Sequence, residues 1–310
     1  MAGINPAVFV SGGSEMIETI RKYVNALEPM LNYKICDGVK FAVMAESDGD
    51  ACIFNGLLAS VWDQVINWPQ AAVLASQGES GMWYRSPQRR ADDNSGFSRD
   101  QAHGVLLSAI MPSMSIRQWD NWIEYIRGSR PCKVKKPKWM GGGCLLRSPI
   151  YYYAPDDRSQ ITPCMWAMMG RVADYRGWAD QIEMGTWEGS DGDASVLEAE
   201  NCELGYRLHL NAVQAFIKLL IGQSREFSQK VGQIAWDRVP DNLFYEFLAT
   251  RTIDESFIQR FMDVAPDPYS RFGNGWVWQS SSVESELPFS SGWDFVFMGK
   301  LILKFHGGAI

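Results

Sequence analysis

Histidine is scarce in this chain: there are three in 310 residues. Cysteine is scattered at 36, 52, 132, 144, 164 and 202, with no Cys-x-x-Cys pair and no Cys/His spacing suited to zinc. No metal and no cofactor are expected from these ligands. No apolar stretch reaches ~18 residues, so nothing spans a bilayer and no membrane partner is expected. The N-terminus, Met1-Ala2-Gly3-Ile4-Asn5-Pro6, has no basic segment and no signal-type apolar run. Positive charge is in deficit: the net charge is −7. A chain without a broad basic field is a poor collector of phosphates, so no nucleic-acid partner is expected. The one basic run, Lys133-Val134-Lys135-Lys136-Pro137-Lys138, reads as a solvated loop. There is no Gly-x-Ser-x-Gly elbow, no P-loop and no dinucleotide fingerprint. Asp48-Gly49-Asp50 lacks the other ligands of an EF-hand loop. A magnesium site built on it would need a second acidic motif, for which Asp191-Gly192-Asp193 is the candidate.

What is present is helical periodicity. Hydrophobic residues make up 46% and charged residues 21%, which is the composition of a folded globular chain. The spacing predicts helices over 14–27, 50–65, 98–111, 116–127, 162–175, 203–221, 224–239, 254–264 and 291–305. Those at 50–65, 98–111, 162–175, 203–221 and 291–305 are apolar almost all round and should be buried. Those at 14–27, 116–127, 224–239 and 254–264 are amphipathic. Alternation of the two kinds suggests an inner ring of helices wrapped by an outer ring. The expected fold is therefore all-α, an (α/α) toroid or barrel of helical hairpins in a single domain over residues 1–310. Trp276-Val277-Trp278 is a strand-like piece. Long loops at 76–97, 128–161, 176–200 and 265–290 are rich in Trp, Tyr and Gly, and loops of that length are usually functional. A weak echo runs through the chain: Arg85-Ser86-Pro87 and Arg147-Ser148-Pro149 each precede a helix start, with Asp92-Asp93 and Asp156-Asp157 between. Cys52, Cys164 and Cys202 fall inside apolar patterns and read as reduced core thiols, which suggests synthesis in a reducing compartment. A cytoplasmic origin follows, with release by lysis or carriage on a phage particle as the route outside.

The chemistry-bearing residues gather at two helix starts. Ser47-Asp48-Gly49-Asp50-Ala51-Cys52 and Phe97-Ser98-Arg99-Asp100-Gln101-Ala102-His103 each put a carboxylate in the first turn of an apolar helix. Asp50 is either an N-terminal cap or an acid facing a cavity. Ser98 can cap its own helix, which leaves Asp100 to point inward. His103 lies one turn beyond Asp100 on the same face, placed to act as acid or base. The loop between the two starts holds Trp83, Tyr84, Arg85, Arg89 and Arg90. Its rings suit stacking on sugars, and Arg85 and Arg89, with Arg99, suit anionic groups. Asp294 repeats the pattern of a first-turn acid. Thirteen Trp is a high count for this length, accounted for by sugar stacking or by packing between layered helices.

The segments Asp48–Leu58 and Ser98–Leu106 resemble inner-helix starts of (α/α)6-toroid carbohydrate enzymes. Those include unsaturated glucuronyl and rhamnogalacturonyl hydrolases and several polysaccharide lyases. The resemblance implies a general acid and base role for an Asp at an inner-helix mouth, which by position is Asp50 or Asp100. The chain departs from those hydrolases in lacking a His-Asp dyad before its helices. It is also short for six hairpins, which points to a partial toroid. The expected function is cleavage of an anionic glycan by a glycoside hydrolase. A polysaccharide lyase and a non-catalytic glycan-binding or phage structural protein are the alternatives. The expected partner is a carbohydrate polymer.

Overall fold

The computed structural model describes residues 10–45, 47–62, 67–91, 97–130, 132–147, 151–153, 160–182, 192–223 and 225–306. The chain is mostly helical. After α1 (Val10–Leu27) come the strands β1 (Tyr33–Cys36) and β2 (Val39–Ala42), then α2 (Ala51–Val61), α3 (Trp68–Leu74), α4 (Arg99–Ile110) and α5 (Ile116–Gly128). A second hairpin, β3 (Cys132–Lys135) and β4 (Cys144–Arg147), leads to α6 (Pro163–Tyr175) and α7 (Gly192–Asn201). The chain continues through α8 (Tyr206–Leu220), α9 (Arg225–Arg238), α10 (Leu243–Thr250), α11 (Glu255–Val264), α12 (Val283–Glu286) and α13 (Trp293–Phe305).

Local sequence sets most of these boundaries. Ser115 and Gln118 form a reciprocal capping box at the start of α5, whose Trp119, Trp122, Ile123 and Ile126 make one buried stripe. The β1–β2 hairpin pairs Cys36 with Val39, so Asp37-Gly38 is a two-residue turn with positive φ at both positions, the geometry that Asp-Gly favours. Asn55 of α2 holds that hairpin from below: its Oδ1 accepts from the Ala42 N–H and its Nδ2 donates to the Ala42 carbonyl, both at 3.0 Å.

The helices expected to be buried divide. Every residue of α2 is buried, as are residues 101–110 of α4 and 208–219 of α8. By contrast, α6 buries Met165, Trp166, Met168, Met169, Val172 and Ala173 and leaves its other face partly exposed, so it is not buried all round. Four helices were not expected: α3, α10 and α12 are short, and α7, like α12, falls in a stretch read as loop. Trp276-Val277-Trp278 is not a strand but leads into a 3-10 turn over Val277–Gln279. Among the described residues nine Trp are buried, so most of the tryptophan content there is core packing. One contiguous apolar cluster runs from Ile20 to Ile302. The Asp92-Asp93 and Asp156-Asp157 pairs of the internal echo lie outside the described residues.

Cys52 is buried and unpaired as expected, whereas Cys164 and Cys202 are only partly buried. Cys132 and Cys144 form a disulfide across the second hairpin. That bond departs from the reducing setting read off the buried thiols, because disulfides persist in oxidising surroundings.

Candidate functional site

The site is assembled by a close crossing. A Cβ on Gly56 of α2 would lie 2.4 Å from the Gly104 Cα, and a Cβ on Gly104 of α4 would lie 2.2 Å from the Cys52 carbonyl oxygen. Only glycine allows backbones this near. Because residue 52 meets 101–104 and residue 56 meets 104, the two helices run in the same direction. Their starts lie side by side, and the Cys52 thiol reaches the Gln101 carbonyl at 3.5 Å.

Asp50 sits at the start of α2, and its side chain makes no capping bond. Its Oδ1 accepts from Arg85 Nη1 at 3.3 Å and from Gln101 Nε2 at 3.0 Å. Burial against the two helix starts, and then the charge of Asp100, raise its pKa above the usual carboxylate value. Arg85 and Gln101 pull it the other way and lose. Asp100 accepts a short hydrogen bond from the Ser98 hydroxyl, and that hydroxyl makes no capping bond to α4. Arg99 pairs with Glu198 of α7 at 3.4 Å. The two carboxylates of Asp50 and Asp100 therefore act on each other across the crossing, one held by a guanidinium and an amide, the other by a hydroxyl.

Asp48 is a structural anchor. Ser86 Oγ donates to its Oδ2 at 2.6 Å, and Arg89 donates from Nε and Nη2 to its Oδ1 at 3.1 and 2.9 Å. Burial would raise its pKa, but the bonds from Arg89 and Ser86 outweigh burial and leave it lowered. A magnesium role for Asp48-Gly49-Asp50 does not fit, since Asp48 is already engaged. Asp191 lies outside the described residues. Among the described residues, no three His, Cys, Asp or Glu side chains form a group able to hold a metal.

Several expected site residues lie elsewhere. Trp83 is fully buried, its ring 6.1 Å from that of Trp122 and edge-on to it, so it offers no face to a sugar. Tyr84 is also buried. Both were expected to stack on substrate; Trp83 is instead a core residue, because its loop turns inward against α5, while Tyr84 lines a cleft with Gln88 and Arg90. His103 is fully buried, with neither ring nitrogen bonded among the described residues. Burial, then the Arg99 and His209 charges, push its pKa down to about 3. Such an imidazole stays neutral and shut away from substrate, so it is not the acid or base. Asp294 is likewise buried: its Oδ2 accepts from the Val277 N–H at 3.0 Å and its Oδ1 from Ser290 Oγ at 2.8 Å. It pins the 276–279 turn to the start of α13. Arg85 also donates to the Gly49 carbonyl at 2.9 Å, so it braces the Asp48–Asp50 turn as well as facing Asp50.

Ser86, Gln101 and Glu198 belong to the site and were not singled out. Ser86 and Gln101 had a signal, since each is the chain neighbour of a chosen residue. Glu198 had none, because it lies on an unexpected helix. Beside the site, the 3-10 turn Pro87–Ala91 shows two faces. Arg89 holds Asp48, while Gln88 and Arg90 line a cleft of about 560 Å3 with Asp37, Gln77 and Glu79. That cleft does not include Asp50 or Asp100.

Comparison of this chain with protein-family models, with curated proteins and with solved structures finds no match.

Proposed function

We propose that this chain is a glycoside hydrolase that cleaves an anionic polysaccharide, with Asp50 as general acid and Asp100 as general base. One observation carries this reading. At α3, α5, α6, α10 and α11 a polar side chain at the helix start accepts from the helix backbone. At α2 and α4 the polar side chains do not cap; Asp50 accepts from Arg85 and from Gln101 of α4, and Ser98 donates to Asp100. Local rules broken at one place mark a functional site. Two neighbouring acids, one of them with its proton affinity raised, are an arrangement that suits glycoside chemistry. Asp50, held toward its protonated form, gives a proton to the leaving sugar oxygen. Asp100, held by Ser98, activates the incoming water. The partly exposed guanidiniums of Arg85 and Arg99 supply positive charge for an acidic sugar. The cleft beyond the Pro87–Ala91 turn provides room for further units of the polymer.

We read the architecture as an (α/α) toroid with fewer than six hairpins. Its support is that α2 and α4 start at one end, and that α13 runs alongside α2 with Lys304 bonded to the Ser60 carbonyl at 2.7 Å near their shared far end. A second reading, a glycan-binding protein without catalysis, is favoured by the fact that Arg85, Arg89 and Arg99 are each already paired with a carboxylate. A panel of polysaccharides, followed for new reducing ends and for absorbance of unsaturated products, separates the readings. Reducing ends without absorbance support the hydrolase, absorbance supports a lyase, and binding with neither supports the binder.

A further inference from the structure

The basic run expected to be a solvated loop forms the stem and tip of the second hairpin. Val134 lies opposite Leu146 in its ladder, and the Cys132–Cys144 disulfide ties the two strands of the stem together. Its tip is the turn Lys138–Met140 followed by Gly141, Gly142 and Gly143, all at positive φ, where a side chain would be strained. Every residue from Lys133 to Gly141 is exposed. Trp139 is 83% exposed, and Val134, Met140, Leu145 and Leu146 stand in solvent with it. Lys133, Lys135, Lys136 and Lys138 lie among them, and no acidic residue occurs between Glu124 and Asp156 in a chain of net charge −7.

We propose that this hairpin docks on the surface of an anionic lipid bilayer. Charge complementarity and apolar exposure coincide on the same short element, and together they choose the partner. A nucleic acid or an acidic polysaccharide would satisfy the lysines and one ring, yet leave Val134, Met140, Leu145 and Leu146 in water. The interfacial zone of a bilayer takes both: Trp and aliphatic side chains enter the acyl boundary while Lys stays at the headgroups. The contact is superficial. A four-residue stem is about 13 Å long, against ~30 Å for the hydrocarbon core. The same stem exceeds the ~8 Å Debye length of physiological salt, so the acidic body is screened from the lipid while the tip engages it. This adds surface attachment to a chain that, among its described residues, has no helix long and apolar enough to cross a membrane. It does not depend on the carbohydrate reading.

The test is co-sedimentation of the full chain with phosphatidylcholine vesicles and with vesicles that also contain phosphatidylserine. The protein is expected to pellet with the anionic vesicles only, and to be released by salt. Trp139→Ala should lower the partition about tenfold, and the pair Lys136→Glu and Lys138→Glu roughly a hundredfold. The thermal midpoint should not move in either case, because these side chains touch no core. Failure to pellet with anionic vesicles overturns the proposal. So does equal pelleting with both vesicle types, or variants that partition like the parent.

Discussion

Gly56 and Gly104 meet backbone to backbone, and this contact is what makes Asp50 and Asp100 neighbours. The glycines lie a turn or more inside their helices, where glycine otherwise weakens a helix. Their conservation of space, not their flexibility, explains them. A methyl at either position has backbone for a neighbour, which cannot move aside as a side-chain tip can.

Gly56→Ala or Gly104→Ala is therefore expected to push α2 from α4 and cost about 1–3 kcal/mol or somewhat more. Chemical denaturation measures the loss. The same variants should weaken the Gln101–Asp50 bond, so any activity should fall further than the fraction of unfolded protein explains. A variant of full stability and full activity would show that the crossing is looser than described.

Asp50 should titrate above the usual carboxylate range, because burial and then the Asp100 charge both disfavour its ionised form. Replacing Asp100 with Asn removes the second cause, so the Asp50 midpoint should move down. Carboxyl-carbon NMR of the two proteins reads this directly. An unchanged midpoint would mean that the two acids do not sense each other.

Asp294 gives a pH dependence of stability whose sign is fixed. Burial raises its folded-state pKa from 3.8 to about 6. Between those values the folded chain holds a proton that the unfolded chain has lost. Stability therefore falls as pH rises from about 4 to about 6, by roughly 2–3 kcal/mol, and levels off above. Asp294→Asn abolishes this slope. At pH 7 the same variant removes the charge penalty but keeps one acceptor oxygen for two backbone donors, the Val277 and Phe295 N–H groups, a loss of about 1–3 kcal/mol. Thermal melts across the pH range, in parent and variant, compare the two slopes.

His103→Leu should leave stability unchanged or raise it. A buried ring with both nitrogens unbonded among the described residues loses free energy on folding that an apolar side chain of similar size does not. Activity should persist. A large loss of kcat with an unchanged fold would return His103 to the catalytic site.

Much of the helical order was legible because apolar spacing is local: α1, α4, α5 and α13 begin and end within a few residues of their expected places. The Asp50–Asp100 juxtaposition was legible as two similar helix starts. What joins them, Gly56 against Gly104, was not, because a glycine inside a helix looks like a defect until its neighbour is known. The roles of Trp83 and Asp294 were misread for a related reason. Composition says that a loop is aromatic and a first turn acidic, but only packing says which way each side chain faces. The α3 and α10 helices were missed because their seven and eight residues are too few to display a period.

Asp50 and Asp100 are proposed to cleave a glycan together. The most direct measurement is release of reducing ends from a polysaccharide that the parent protein degrades, repeated with Asp50→Asn and with Asp100→Asn. Both variants are predicted to keep the parent's melting behaviour to within a few degrees and to lose at least about a hundredfold in kcat. Parent-like turnover by both variants on the same substrate would contradict the assignment.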